Sequence, residues 1–169
     1  MRIILVLLFG FTLTGCGLLL PEFANSGSLE DSELAGILFI NEISAENPDT
    51  ADWIELYNSG SGTINLSGFY LSDTPSDLIK WEIPENTFLT GGGFLVITFN
   101  DASGTLNADF GLSPGPGNDG IYLSAPRDAF IIDSLAEIPE TGSGSSGRST
   151  DGAADWIYFI TPTKGASNQ

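Results

Sequence analysis

Short apolar runs separated by polar and turn residues follow one another from about residue 37 onward, and this pattern predicts short β-strands. In residues 52–58 the strand period places Ile54 and Leu56 on one face, with their neighbours on the other. The same reasoning predicts eight or nine strands, at residues 37–43, 52–58, 63–66, 69–72, 80–83, 94–99, 121–124, 130–134 and 156–160.

Turn signals separate these apolar runs. The chain contains 21 glycines and 9 prolines, which concentrate between the predicted strands, as in residues 91–93, 114–117 and 142–147. No stretch of ten or more residues after Cys16 keeps a helical period of 3.6. Short strands spaced roughly every 8–12 residues and joined by such turns predict an all-β sandwich or barrel.

The N-terminus has a different pattern. Arg2 precedes an apolar run over residues 3–11, and the small-residue sequence Leu13-Thr14-Gly15 then leads directly into Cys16. This order is typical of a secretory signal peptide. It resembles the lipobox of bacterial lipoproteins, which implies that the Cys16 thiol receives a diacylglyceryl group, that cleavage precedes Cys16, and that the new amine is acylated.

The resulting division is a signal peptide at 1–15, the lipidated cysteine with a flexible tether at 16–36, and a folded domain at 37–169. Residues 17–36 are polar and acidic after three leucines, which is typical of a flexible linker. Two alternatives remain. In the first, residues 3–20 form an uncleaved membrane-spanning helix; they reach the lower length limit of such a helix, although three glycines weaken that interpretation. In the second, Cys16 is not modified and is simply an apolar residue of the signal peptide.

Charge restricts the partners. The formal net charge is −17, and removal of residues 1–15 takes away Arg2 and no acid, so it becomes −18. A chain this acidic is repelled by phosphate backbones, so we expect no nucleic-acid partner and favour cations or a basic protein surface. Disorder is not expected, because 41% of the residues are hydrophobic and 11% are aromatic.

The chain has no histidine. This removes the usual general base at neutral pH, the commonest metal ligand, and every Ser-His or Cys-His catalytic arrangement. Any catalysis would depend on carboxylates, hydroxyls or lysines. We therefore expect a protein that is not an enzyme and that needs no cofactor.

Several segments, in order, resemble the lamin tail domain. They are residues 40–43, 52–58 and 66–73, the pair Trp81 and Pro84, residues 147–148 with 151–152, and the closing residues 165–168. The resemblance implies an immunoglobulin-like β-sandwich that, in secreted or surface-tethered bacterial proteins, serves as a non-catalytic interaction module. Lys164 stands where the family usually has proline.

Carboxylates on strands suggest one catalytic alternative. Glu42 and Glu55 lie among apolar neighbours, and two acids at a suitable separation can hydrolyse a glycosidic bond. The simpler interpretation is architectural, with the forked guanidinium of Arg148 bridging a buried carboxylate. We expect a structural ion pair between Arg148 and Glu55, and tryptophans 53, 81 and 156 in the core.

Acidic loops suggest a second alternative, a calcium-dependent adhesion module. Glu46, Asp49 and Asp52 form one such loop and residues 118–120 another, but neither has EF-hand spacing. Asn-Asp-Gly is in the first place a turn signal.

The leading hypothesis is a lipid-anchored cell-envelope protein whose non-catalytic domain binds a protein or polysaccharide through its loops. An aspartate directly after the lipidated cysteine would resemble an inner-membrane retention signal. Glycine stands there at residue 17, so the resemblance implies delivery to the outer membrane in a diderm. The candidate binding residues lie in two polar or Pro/Gly-rich loops: Asn47, Asp49, Asp52, Pro114, Pro116 and Asn118.

Overall fold

The computed structural model describes residues 30–169, which contain one short helix and twelve strands. The expected signal peptide, Cys16 and the first part of the expected tether lie outside the described residues. Within residues 30–169, no helix has the length and apolar character needed to cross a membrane. The elements are α1 (Asp31–Leu34), β1 (Leu38–Ser44), β2 (Trp53–Asn58), β3 (Ile64–Asn65), β4 (Tyr70–Ser72), β5 (Trp81–Glu82), β6 (Phe88–Leu89), β7 (Phe94–Phe99), β8 (Asn107–Ala108), β9 (Ile121–Ser124), β10 (Ile131–Leu135), β11 (Ser145–Arg148) and β12 (Trp156–Phe159).

The strands form an immunoglobulin-like β-sandwich, as the sequence predicts. One sheet has six strands in the order β12-β11-β1-β2-β7-β8, and the other has four in the order β10-β9-β4-β5. Strands β3 and β6 form a separate pair. The apolar core lies between the sheets, where side chains of alternate strand positions meet: Ile40, Ile54, Leu56, Leu71, Ile97, Ile121 and Leu123.

Two apolar runs bounded by turn residues located their strands accurately. The predicted strands at 94–99 and 121–124 have the bounds of β7 and β9. Three strands were missed, namely β6, β8 and β11. The error at β11 is the largest, because residues 142–147 were assigned to a turn, whereas Ser145–Arg148 pairs with both β1 and β12 inside the six-stranded sheet.

Gly144 and Gly147 have a packing role, whereas Gly142 keeps the predicted turn role, with a φ of +52°. A Cβ atom on Gly147 would lie 3.0 Å from the Asn41 carbonyl oxygen, from Glu42 Cγ and from Phe159 Cε2. A glycine within a strand often marks such a close approach. This explains why a glycine-rich segment forms a central strand.

The tether was predicted to extend to residue 36, and this boundary is wrong. Residues 31–34 form α1, whose Leu34 is buried in the core. The helix begins with a capping box, in which the Glu30 amide donates to Glu33 Oε2 at 2.9 Å. The folded domain therefore includes at least residues 30–36, which the composition alone assigned to a linker.

The C-terminal segment, residues 161–169, covers the outer surface of the six-stranded sheet. The Gly165 amide donates to Glu55 Oε2 at 2.6 Å, and Thr163 bonds to Glu42. Strand β2 is therefore buried on both faces: Ile54 and Leu56 face the core, and Trp53 is only 2% exposed on the other side.

Candidate functional site

Three loops gather at one end of the sandwich. Strand β1 runs from Leu38, just after α1, to Ser44, and its seven residues span roughly 20 Å. The connections at residues 45–52, 109–120 and 136–144 lie at the far end of β1, remote from α1. We call these three segments the distal loops.

Asp52 joins the first distal loop to the second. Its Oδ1 accepts the Glu46 amide at 2.7 Å, and its Oδ2 accepts the Leu112 amide at 3.1 Å. One carboxylate therefore fixes the backbone of its own loop and that of Leu112, which is sixty residues away from Asp52 in sequence. This contact brings the two predicted binding loops together on one surface.

The third distal loop is attached to both of the others. Thr141 accepts the Ala45 amide at 3.0 Å, and its hydroxyl donates back to the Ala45 carbonyl at 2.8 Å. The Gly115 amide donates to the Ile138 carbonyl at 2.8 Å. Because these bonds include backbone groups on both sides, the loops form one rigid surface.

The six predicted binding residues differ in exposure. Three at the loop tips are exposed, one is half-buried at a tip, and two are held inside the loops. The exposed residues are Asp49, Pro116 and Asn118, and the half-buried residue at a tip is Asn47. The two residues inside the loops are Asp52, which is half-buried, and Pro114, which is buried.

The distal loops carry acids and no base. Their acids are Glu46, Asp49, Asp52, Asp109, Asp119, Glu137 and Glu140. Among residues 30–169, no group of three or more His, Cys, Asp or Glu side chains is placed to hold a metal ion. The surface thus favours neutral or basic partners over anionic ones.

Glu42 and Glu55 form a buried pair of carboxylates on neighbouring strands, and neither side chain is exposed. Glu42 accepts the Ser145 hydroxyl, the Thr163 amide at 2.9 Å and the Thr163 hydroxyl at 2.6 Å. These three donors satisfy both carboxylate oxygens, and the two from Thr163 hold the C-terminal segment. Since the pair is covered, it has no surface on which a substrate could lie.

Glu55 is the more perturbed of the two acids. It accepts the side-chain amide of Asn41 at 3.1 Å as well as the Gly165 amide. Burial away from water raises the pKa of Glu55 to about 7, against the lowering effect of these hydrogen bonds, with a further increase from the Glu42 charge. A raised carboxyl pKa is a property of catalytic acids, but here it results from a covered structural position.

Asp151 organises the same covering contact, and the sequence analysis assigned it no role. Its Oδ1 accepts Asn41 Nδ2 at 3.0 Å and the Asn168 amide at 2.9 Å, while its Oδ2 accepts the Ser167 hydroxyl at 2.6 Å. The Asn168 side chain then donates to the Arg148 carbonyl at 2.7 Å. The signal in the sequence was the Asp-Gly turn at 151–152, which marks the position but not the partners.

Arg148 does not pair with Glu55, contrary to the prediction. Its Nη2 lies 2.7 Å from Asp133 Oδ2, its Nε donates to the Ile40 carbonyl at 2.8 Å, and its Nη1 donates to the Ala153 carbonyl. Asp133 also accepts the Ile40 amide at 2.8 Å. The ion pair thus joins the two sheets, and Glu55 uses neutral donors instead.

The three tryptophans that were predicted to lie in the core are buried to different degrees. Trp53 is buried, and Trp81 and Trp156 are half-buried against the core. The Arg148 guanidinium lies 5.4 Å from the centre of the Trp156 ring, and Lys164 Nζ lies 5.0 Å from that of Trp53. Lys164, where proline was the family expectation, therefore packs its cation on the sheet.

The comparison with known families agrees with this architecture. A sequence model of the lamin tail domain matches residues 32–139. The chain belongs to the lamin tail domain family. No curated protein matches the chain. In this lamin tail domain, β11 and β12 lie beyond the matched residues and complete the six-stranded sheet, and the C-terminal segment covers its outer face. The family is a non-enzymatic one, which indicates a binding or structural module.

Proposed function

We propose that this lamin tail domain is a lipid-anchored module of the bacterial cell envelope, which binds a protein or polysaccharide through its distal loops and does not catalyse a reaction. The observation that carries the proposal is the Asp52 contact, which unites the two predicted loops into one surface. Rigid β-sandwiches commonly bind through loops gathered at one end.

The position of the distal loops supports the anchored arrangement. Residue 30 and α1 lie at the opposite end of β1, so the segment that leads from Cys16 enters the domain at the end remote from the distal loops and leaves them free to bind. Cys16 is the lipid attachment site of this proposal. In a diderm the proposed location is the outer membrane.

The charge of the distal loops restricts the chemical class of the proposed partner. Acids without bases on the distal loops disfavour nucleic acid and anionic polysaccharides. A neutral polysaccharide or a basic protein surface fits better. Neither alternative function gains support, because the two glutamates are covered and the described residues present no metal cluster.

The test is a loop exchange with a matched control. Replacing the exposed tip Pro48-Asp49-Thr50 by Gly-Ser-Gly should reduce capture of the partner from detergent-solubilised envelope. The same replacement of residues 84–86, an exposed Pro-Glu-Asn tip near the other end, removes the same charge and should leave capture unchanged. Equal capture by both variants would exclude the distal loops as the binding surface.

Catalysis is tested separately. The full chain should be inert on glycan, ester, peptide and phosphodiester libraries. Saturable turnover that Glu42→Gln or Glu55→Gln abolishes would replace the binding proposal by the hydrolase alternative.

A further inference from the structure

One edge of the six-stranded sheet lacks the features that usually protect a sheet edge. Strand β12 has four residues in regular register with β11, and none of them is charged or proline. Free edges of this kind are templates for pairing with another strand.

The other edges of the two main sheets are protected. Strands β5 and β8 have two residues each. Strand β10 has an irregular register between Ile131 and Asp133, and Asp133 carries a charge on that edge. Short length, bulges and charges are the common devices against edge pairing, so β12 is the exception in this fold.

Backbone groups of β12 point outward at alternate residues. The Ser149 amide donates to the Asp155 carbonyl at 2.7 Å, which fixes the alternation of the antiparallel β11–β12 ladder. Ile157 and Phe159 then point their amides toward β11, and Trp156 and Tyr158 point theirs to the free edge. No backbone hydrogen bond from another described segment reaches these two residues.

Exposed apolar side chains accompany this edge. Three of the seven large apolar side chains that are exposed in residues 30–169 lie at this edge: Ile157 is 45% exposed, Tyr158 53% and Ile160 82%. Apolar side chains beside a free backbone edge are the two requirements of strand addition, in which main-chain bonds give affinity and side chains give specificity.

We propose that β12 is a docking edge for an extended segment of a partner protein in which apolar residues alternate with lysine or arginine. Charge complementarity selects this occupant. Residues 30–169 contain four bases, of which Lys80, Arg127 and Arg148 are paired with Asp73, Glu30 and Asp133. An acidic segment would be repelled, whereas basic residues would find the exposed Asp155 next to β12.

A second copy of the chain is a poorer occupant. Two copies would bring formal charges of −17 together. The proposal concerns a surface other than the distal loops, so it does not depend on their role.

The first experiment uses designed peptides and the full chain in detergent. A fluorescein-labelled peptide in which isoleucine alternates with lysine should bind, as measured by anisotropy. Two matched peptides should bind about tenfold more weakly or worse: one with glutamate for lysine, and one with the same charge but prolines in place of the central isoleucines. Equal binding of the proline peptide would overturn the proposal, since it would show attraction by charge alone.

A pair of variants tests the edge itself. Tyr158→Pro removes an outward amide without removing a bond to β11, and Tyr158→Thr keeps that amide. The proline variant should bind the peptide about tenfold more weakly or worse, and the threonine variant about as well as the original chain. Unchanged binding by a folded Tyr158→Pro variant would overturn the proposal.

Hydrogen exchange in the unmodified chain provides a measurement that does not depend on the folding of a variant. The peptide should slow exchange of the Tyr158 amide about tenfold and leave that of the Ile157 amide unchanged. Two results contradict the proposal. A dimer that Tyr158→Pro abolishes would make a second copy the occupant, and a Tyr158 amide protected without peptide at every concentration would mean that the chain covers its own edge.

Discussion

Glu42 and Glu55 occupy paired positions on β1 and β2, and the C-terminal segment covers both of them. Two carboxylates placed side by side repel each other when both are ionised. The fold tolerates the pair because each acid has its own donors: hydroxyls and an amide for Glu42, and two nitrogens for Glu55. This relationship makes stability depend on pH.

The first prediction concerns that dependence. The pKa of Glu55 is about 7 in the folded chain against 4.5 in the unfolded one. Between these two pH values Glu55 is protonated in the folded state and ionised in the unfolded state. The contribution of Glu55 to the free energy of unfolding is therefore present below about pH 4.5 and is lost as the pH rises through about 7. The loss should be at most about 3 kcal/mol.

Denaturant titrations at about pH 5 and about pH 8 measure this effect. Glu55→Gln removes the titration, so the stability difference between the variant and the original chain should change with pH in that window. Glu82→Gln, an exposed glutamate on β5, is the matched control and should show no such change. Parallel pH profiles for Glu55→Gln and the original chain would show that Glu55 titrates normally.

The second prediction concerns the link between the sheets. Arg148→Ala should lower the free energy of unfolding by about 3 kcal/mol, because it leaves the nearly buried Asp133 without its cation and frees two backbone carbonyls. Arg127→Ala is the control. Its pair with Glu30 is mostly exposed and should contribute less than about 1 kcal/mol.

A double-mutant cycle separates this pair from other effects. Arg148→Ala with Asp133→Ala should cost less than the sum of the two single variants, since neither charge is then left alone. Additive losses would indicate that the two side chains act independently. If Arg148→Ala instead lost partner capture at unchanged stability, Arg148 would be a binding residue and not a structural one.

The sequence could predict the strands that are apolar runs bounded by turn residues. Strands β7 and β9 are such runs and were located to the residue. Strand β11 could not be found in this way, because Ser-Ser-Gly-Arg has no apolar period and is a strand only through its pairing with β1 and β12. Helix α1 is a single turn stabilised by its cap and by burial of Leu34. Neither feature could be recognised in the sequence, because the surrounding residues are polar and acidic like those of a flexible linker.

The sequence could predict the two loops of the candidate site, but not that they form one surface. Turn residues indicated the two loops, whereas the contact of Asp52 with the Leu112 amide depends on the fold. The partner of Arg148 shows the same limit. Asp133 lies on the other sheet, and a charged residue within the apolar run 130–135 was the available signal.

The third prediction tests the revised role of residues 144–147. A Cβ atom on Gly144 would lie 2.3 Å from the Phe159 carbonyl oxygen and 2.5 Å from the Tyr158 hydroxyl. Gly144→Ala should therefore destabilise the domain by about 1–3 kcal/mol. Gly62→Ala meets no atom within 4 Å and should change stability little. Equal thermal midpoints for the two variants would contradict the close approach of these strands.

The last prediction concerns the anchor, which lies outside the described residues. If Cys16 is the acceptor of the diacylglyceryl group, Cys16→Ser should abolish membrane attachment, because the chain contains a single cysteine. Metabolic labelling with a clickable fatty acid should mark the original chain and leave the variant unlabelled. The variant should move to the soluble fraction, since stable anchoring requires more than one acyl chain and the variant carries none. A labelled variant that still sediments with membranes would show that the anchor is not at Cys16. In a diderm, sucrose-gradient fractionation should place the original chain in the outer membrane, and residence in the inner membrane would contradict that location while leaving the anchor itself in place.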